Sequence, residues 1–196
     1  MKLEISKEEL KDYPIKGFEG KVHYTKTEEE FDAIWFDFIE GIDTFGIDTE
    51  TKPAFKKGQS FPTSLLQICN GEEVLVHRLQ NGILNKDLIA FLEDEDLLKV
   101  GIAIKDDMKE LRRDNPSLKD KEVLDLSEMA RQLGFISFGA KRLTALLLGF
   151  TVSKGQRTSD WSAPELSEAQ LRYASTDAWI CNLIFDKLEK IESNGF

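Results

Sequence analysis

One short segment with the alternation of a β-strand places two carboxylates on the same face. Residues 45–51 read FGIDTET. Because successive strand side chains point to opposite faces, Phe45 and Ile47 lie on one side, whereas Asp48 and Glu50 share the other. Neighbouring carboxylates repel each other, and burying them without a partner is costly. The segment is therefore either a polar strand end with two solvated acids or part of a site for magnesium or manganese.

Length and composition predict one soluble globular unit. The 196 residues are 41% hydrophobic and 32% charged, which is long enough for a single domain that buries about 70% of its unfolded surface. Residues 1–20 are polar and contain Pro14 and two glycines, so we expect an N-terminal arm with one helical turn. Residues 21–196 are expected to form a single domain.

Composition also excludes several functional classes. No apolar run reaches membrane-spanning length, and the N-terminus has no apolar signal core, so we expect a cytoplasmic protein without membrane contact. Cys69 and Cys181 are far apart and lie in apolar surroundings, which predicts two free, buried thiols. With only His23 and His77 as imidazoles, a structural zinc site is improbable. Carboxylates must therefore hold any metal here.

The charge distribution is uneven. The formal net charge is −10, which disfavours bulk attraction to nucleic acid. However, residues 51–71 and 129–159 contain no acid and several lysines and arginines. These stretches are either local tracks for a polyanion or chance clusters on a solvated surface.

Hydrophobic periodicity and turn residues predict an α/β domain with a mixed sheet. Three closely spaced strands, the last two joined at Asn70-Gly71, suggest an antiparallel meander. Capping boxes at Thr27 and Ser167 open two helices. The expected strands are 22–24, 45–51, 64–69, 74–79, 98–104 and 122–126. The expected helices are 28–40, 88–92 after a cap at Asn85 or Asp87, 105–113, 128–133 after a cap at Ser127, 140–148 and 168–191.

Two later segments add polar groups that packing alone does not explain. Tyr173 and Asp177 are four residues apart and share one face of the last helix. The strand at 98–104 runs into adjacent acids at the carboxyl edge of the sheet, where open α/β sheets bind ligands. Asp107 aligns with an apolar helical face, whereas Asp106 aligns with a polar one. Asp107 is therefore the better candidate for an interior cleft.

Three motifs in this order resemble a known enzyme family. The Asp-x-Glu strand at 45–50, residues 99–107 and Tyr-x-x-x-Asp at 173–177 resemble the DEDD superfamily of 3′–5′ exonucleases. The resemblance is to the tyrosine branch (DEDDy), which includes ribonuclease D and the Werner-syndrome helicase exonuclease domain. Arg172 stands where the related branch needs histidine. Thr51 departs from the aromatic residue common in the helicase domain.

The resemblance covers roughly residues 20–190 and implies a fold and a reaction. The fold is a ribonuclease H-like (DnaQ-like exonuclease) mixed sheet flanked by helices. Two divalent cations, Mg²⁺ or Mn²⁺, are implied at four carboxylates, with Asp48 bridging both ions, Glu50 and Asp177 completing one site, and Asp107 acting at the second or from outside. Tyr173 is implied to orient the attacking water. The implied reaction releases nucleoside 5′-monophosphates from a free 3′ end.

Substrate contacts are expected around this site. DNA is favoured over RNA, and bases can stack on Phe55 or Phe61. Trp161 is more often a packing residue than a stacking partner. The candidate substrate-binding residues are Thr49, Thr51, Lys56, Lys57, Lys154 and Arg157.

Other functions stay open on sequence alone. A non-catalytic nucleic-acid binding module can share the fold, a ribonuclease D-like enzyme would trim RNA, and an endonuclease can use a similar acidic cluster. An endonuclease of that kind does not require the Tyr-x-x-x-Asp helix. Whether a helicase or repair partner acts with the domain is also open.

Overall fold

The computed structural model describes residues 2–195 and contains a mixed six-stranded sheet. In space the strands follow the order β1-β4-β3-β2-β5-β6. The second, third and fourth strands form an antiparallel meander, and the other pairings are parallel. The mixed sheet and the meander predicted from sequence are both confirmed. The strands are β1 (Val22–Thr25), β2 (Thr44–Thr51), β3 (Thr63–Cys69), β4 (Val74–Arg78), β5 (Leu98–Gly101) and β6 (Val123–Asp125).

Six α-helices flank the sheet within residues 2–195. Both predicted capping boxes are present: the Thr27 hydroxyl accepts from the Glu30 N–H, and the Ser167 hydroxyl accepts from the Gln170 N–H. The helices are α1 (Glu28–Ile39), α2 (Lys86–Glu93), α3 (Ile104–Asp114), α4 (Leu126–Gln132), α5 (Ala140–Leu143) with a wider π-helical turn at Thr144–Leu148, and α6 (Glu168–Ser193). None of the helices in residues 2–195 has the length and apolar character needed to cross a membrane.

The alternation of strand side chains divides the core between the two faces of the sheet. Phe45 and Ile47 are fully buried in the core formed with α1 and α2. The opposite face of the sheet packs Leu65 and Val76 against α6, through residues such as Ala178. Asp48 and Glu50 alternate with Ile47 along β2, so they lie on the face that α6 covers.

The long helix α6 approaches β2 unusually closely at Gly46. A Cβ atom at Gly46 would lie 2.3 Å from the Ala178 carbonyl oxygen and 2.3 Å from Asn182 Oδ1. Because Gly46 has no side chain, Asn182 can approach the strand, and the Gly46 N–H donates a hydrogen bond to Asn182 Oδ1 at 2.8 Å. Glycine is therefore required here so that helix and strand backbones can come close.

The segment before β1 packs along the domain rather than away from it. Ile5 and Leu10 are buried against Ala145. The Thr151 N–H donates to the Pro14 carbonyl at 2.8 Å, and the Lys16 N–H donates to the Thr151 carbonyl at 2.9 Å. A single 3₁₀ turn occupies Glu9–Asp12, in agreement with the one helical turn predicted there.

Two boundaries predicted around α3 and α4 are wrong. The fifth strand ends at Gly101 instead of Ile104, because Ala103 adopts a left-handed conformation with φ +57° and α3 begins at Ile104. The cap of α4 is Asp125 rather than Ser127. Asp125 Oδ1 accepts from the Ser127 N–H at 2.9 Å and from the Ala103 N–H at 3.1 Å. This shared carboxylate joins the starts of both helices, a tertiary contact that no local pattern reveals.

Candidate active site

Three of the acids predicted from sequence converge at one point. Asp48 and Glu50 come from β2, and Asp177 comes from the third turn of α6. One carboxylate oxygen from each lies within 4.8 Å of the other two. The strand alternation places the first two acids on the face covered by α6, and the close approach at Gly46 brings Asp177 to them. Such a cluster of carboxylate oxygens is suited to a hard divalent cation.

The cluster is electrostatically strained without a cation. Burial, then the charges of Asp107, Asp177 and Glu50, raise the pKa of Asp48 well above its usual range. Burial and the charges of Asp177 and Asp107 raise the pKa of Glu50 to about 9. Burial also raises the pKa of Asp177 to about 7. A divalent cation at these oxygens would remove this repulsion, so the donor set fits the metal site that the sequence predicts.

Asp107 lies near Asp48 but outside this three-oxygen cluster. It is half-buried at the start of α3, whereas the neighbouring Asp106 is exposed, as the helical spacing predicts. The Thr49 hydroxyl donates a hydrogen bond to Asp107 Oδ1. Burial raises the pKa of Asp107 to about 6, although the bond from Thr49 opposes the increase. Thr49 therefore fixes the orientation of a carboxylate that flanks the cluster.

The Tyr173 phenol faces the same carboxylates. Burial, then the charges of Asp177, Glu50 and Asp48, raise the pKa of Tyr173 well above its usual range. The phenol is therefore neutral and able to donate its proton in a hydrogen bond. Trp161 is completely buried and packs against the Tyr173 ring, with the centroids 5.9 Å apart. Trp161 is thus a packing residue, as the sequence interpretation favoured.

A small cavity of about 140 Å³ opens onto the cluster. Its walls include Asp48, Tyr173 and Asp177 together with two of the predicted cations, Lys154 and Arg157. The charge of Lys154 also lowers the pKa of Asp177, against the larger effect of burial. Six further wall residues were not identified from sequence because nothing in their spacing distinguishes them from core or loop residues: Ile102, Ala140, Val152, Ser153, Ile180 and Cys181.

Other predicted substrate residues lie apart from this cavity. Lys56 and Lys57 are exposed and are not among its wall residues. The Thr51 hydroxyl donates to Glu110 Oε2 at 3.3 Å, so it is engaged within the protein. Phe55 and Phe61 line a separate cavity of about 190 Å³.

Lys52 belongs to the acid-free stretch 51–71, although it is not among the candidate substrate-binding residues named from the sequence. It lines the same cavity of about 190 Å³ as Phe61. Its Nζ is 5.6 Å from the Phe61 ring centre and 3.0 Å from Asp160 Oδ2. Its position in an acid-free, lysine-containing stretch was a signal that could have identified it.

Comparison with known sequences identifies relatives over nearly the whole chain. A sequence model of the 3′–5′ exonuclease family matches residues 22–192. An Arabidopsis thaliana 3′–5′ exonuclease is 33% identical over 192 residues, covering 89% of this chain and 66% of that protein. The mouse bifunctional 3′–5′ exonuclease/ATP-dependent helicase WRN is 27% identical over 94% of this chain and 14% of its own length. The chain spans less than two thirds of either relative.

Solved structures share the fold. The exonuclease domain of Aedes aegypti Nibbler has a TM-score of 0.78 at 24% identity and covers 93% of both chains. Escherichia coli RNase D has a TM-score of 0.76 at 23% identity, covering 89% of this chain and 46% of its own. These similarities confirm the ribonuclease H-like exonuclease fold that the motifs predict. Together with the family match over residues 22–192, they establish that the chain belongs to the 3′–5′ exonuclease family.

Proposed function

We propose that the domain hydrolyses the terminal phosphodiester bond at a free 3′ end of nucleic acid and releases nucleoside 5′-monophosphates. The observation that carries this proposal is the convergence of three carboxylate oxygens within 4.8 Å, beside the neutral phenol of Tyr173. Such an enzyme releases one mononucleotide for each bond that it hydrolyses. Membership of the 3′–5′ exonuclease family indicates that nucleotides are removed from the 3′ end. The carboxylate cluster is the proposed catalytic centre.

The carboxylates are the proposed ligands of two divalent cations, Mg²⁺ or Mn²⁺. When bound, such ions make water a stronger nucleophile and offset charge on the leaving 3′ oxygen. Asp48, Glu50 and Asp177 would hold them through the clustered oxygens. Asp107, oriented by Thr49, would complete the second site or act from outside it. A solved structure of Brucella melitensis NrnC, which shares the fold, contains bound Mg²⁺.

Tyr173 is the proposed positioning group for the attacking water. Its raised pKa makes it a poor base, so its role is to donate a hydrogen bond and align the water. Its place one helical turn before Asp177 keeps the phenol beside the cluster. The buried ring of Trp161 limits how far the phenol can swing.

Lys154 and Arg157 are the proposed contacts to the phosphates near the scissile bond. Both line the cavity with Asp48 and Asp177. Contacts to phosphate provide affinity without reading the base sequence. This property suits an enzyme that must degrade any sequence.

DNA is the substrate favoured from the sequence, and RNA is the second candidate. RNA is favoured by two structural neighbours: the Escherichia coli RNase D is described as an exoribonuclease involved in structured RNA processing, and a Trypanosoma brucei RNase D structure contains RNA U12. A direct comparison of the two polymers decides between them.

The test follows the release of mononucleotides from 5′-labelled single-stranded and recessed DNA and RNA. We expect shortening from the 3′ end with Mg²⁺ or Mn²⁺ and none in excess chelator. Asp107→Asn should lower the rate strongly, and the matched control Asp106→Asn should not, because Asp106 is exposed next to it. Full activity in chelator or in Asp48→Asn would overturn the mechanism. Binding without any hydrolysis would instead support a non-catalytic module.

A further inference from the structure

A second, larger cavity lies between the N-terminal arm and the segment 139–154. Its volume is about 670 Å³, and we call it the arm groove. No carboxylate of residues 2–195 is among its wall residues. Its charged wall residues are Lys7, Lys11, Lys141, Arg142 and Lys154.

These five cations form no ion pair within residues 2–195, whereas Lys2 pairs with Glu9 and Lys26 with Glu165. The charge of Lys154 also acts on Asp177 in the adjoining catalytic cavity. The chain as a whole carries a formal charge of −10. Five cations without an ion-pair partner therefore line one concave surface of an acidic molecule, and such a concentration of positive side chains favours a polyanionic ligand.

The arm groove lies next to the catalytic cavity. Lys154 lines both. An intermediate cavity of about 350 Å³ provides a second connection, because it shares Tyr173 with the catalytic cavity and Ile15 with the arm groove. A flexible chain that ends beside Asp48 can therefore extend into the arm groove along the protein surface.

The arm that forms one wall is held in place. Ile5 and Leu10 are buried, and backbone hydrogen bonds join Thr151 to Pro14 and Lys16. The groove therefore exists before a ligand arrives. Little ordering entropy opposes binding to it.

The wall also contains apolar surface that a nucleic-acid strand can use. The Tyr13 ring and the side chain of Ile15, which is 67% exposed, lie among the cations. Proteins that bind single strands combine a positive groove for the backbone with apolar or aromatic surfaces for the bases. The arm groove has both.

We propose that the arm groove binds the phosphodiester backbone of a single strand upstream of the scissile bond, while the 3′ end of that strand occupies the catalytic cavity. The proposal rests on the exonuclease function proposed above and extends the binding site away from the reacting phosphate. Lys7, Lys11, Tyr13 and Ile15 precede the range 22–192 that matches the family. The proposed strand-binding surface therefore extends beyond the range that the family model matches.

The first experiment measures binding in excess EDTA, so that no hydrolysis is required. Fluorescence anisotropy follows 5′-fluorescein-labelled 12-nucleotide DNA and RNA against wild type and the double variant K7Q/K11Q. Each lost phosphate contact should weaken binding about fivefold at ~0.1 M salt and reduce the log–log salt slope by about 0.7. We therefore expect about 25-fold weaker binding and a slope smaller by about 1.4.

The control is the double variant K187Q/K190Q. It removes the same charge from exposed positions on α6, which lie about 15–20 Å along the helix from Asp177. It should bind within twofold of wild type. Equal binding by the two double variants, or an unchanged salt slope for K7Q/K11Q, would overturn the proposal. Displacement of the strand by polyglutamate as effectively as by unlabelled oligonucleotide would also overturn it.

A second measurement separates this proposal from the exonuclease function itself. In Mg²⁺, the loss of kcat/KM in K7Q/K11Q should be greater for a 12-nucleotide strand than for a dinucleotide, which cannot reach the arm groove. The same loss at both lengths would overturn the proposal. If wild type binds through the groove but releases no nucleotide, the exonuclease function fails while the binding surface stands.

Discussion

At the scale of single residues, the environment of the site disfavours the charged form of its carboxyl groups. Glu50 and Asp177 have raised pKa values of about 9 and about 7, and Asp107 has one of about 6. Burial is the largest cause for each, and for Glu50 the neighbouring acids add to it. The folded protein therefore retains protons at these groups that the unfolded chain releases. Carboxyl pKa values raised in this way are common at functional sites, including sites that bind a cation.

Glu50→Gln should make the metal-free protein less sensitive to alkaline pH. A raised folded pKa means that the unfolded state binds fewer protons, so the free energy of unfolding falls as pH rises from about 4.5 to about 9. Urea unfolding in EDTA at pH 7 and pH 9 should show a smaller loss of stability in Glu50→Gln than in wild type. The exposed Glu189→Gln serves as the control and should behave like wild type. An equal loss in all three proteins would contradict the charge strain at Glu50.

Tyr173→Phe should lower kcat about 100-fold and change KM little. The phenol is proposed to align the attacking water, and misplacement of a reacting group by about 1 Å can cost this much. Because Phe preserves the packing on Trp161, stability should be nearly unchanged. Steady-state kinetics with a labelled oligonucleotide supply both constants. A KM effect with unchanged kcat would reassign Tyr173 to substrate binding.

At the scale of elements, the site depends on how closely α6 lies against β2. Asp177 belongs to the helix, and Asp48 and Glu50 belong to the strand, so the distance between their oxygens is set by that packing. Gly46 permits the close contact, and the Asn182 side chain fixes it by accepting from the Gly46 N–H and donating to the Thr44 carbonyl at 3.3 Å. The helix cannot move outward without losing both hydrogen bonds.

Gly46→Ala should destabilise the fold by about 3 kcal/mol. The added methyl group would lie 2.3 Å from a backbone carbonyl that cannot rotate away, and such overpacking typically costs about 1–3 kcal/mol. Chemical denaturation measures the change. Gly155→Ala is the matched control, since its new methyl group would have only an ordinary 3.4 Å contact with Ser153 Oγ. Comparable stability of the two variants would show that α6 can move away from β2 at little cost.

At the scale of the whole molecule, the site joins segments from both halves of the chain. Its acids come from β2, α3 and α6, and the cations beside it come from the loop before α6. The sheet order places β2 between β3 and β5, so the acidic strand is central rather than at an edge. A ligand that binds several of these segments together should therefore stabilise the entire fold.

Mg²⁺ should raise the Tm of the metal-free protein. A ligand at about 100 times its Kd adds about 2.7 kcal/mol to stability, which corresponds to several degrees for a domain of this size. Thermal unfolding with EDTA and with increasing Mg²⁺ measures the shift. Asp48→Asn should abolish it, because Asp48 is central to the proposed metal site. A shift of equal size in Asp48→Asn would place the ion elsewhere.

Much of the architecture could be predicted because its signals are local. The alternation of side chains predicted β2 and its two acidic positions, and the capping boxes predicted the starts of α1 and α6. The Asn70-Gly71 turn predicted the antiparallel meander. Helical spacing likewise separated Asp107 from Asp106. Each signal needs only a few neighbouring residues, so one sequence is sufficient to read it.

Spacing along the chain is sufficient to name the residues that are able to form the site, but folding brings only some of them together. Asp48, Glu50 and Asp177 converge, whereas Lys56 and Lys57 lie outside the catalytic cavity. Distances between remote segments depend on helix-to-sheet packing, which no local period encodes. The hydrogen bond from the Ala103 N–H to the Asp125 cap of α4 and the docking of the N-terminal arm likewise arise only when the chain folds back on itself. The arm groove therefore belongs to the structure alone.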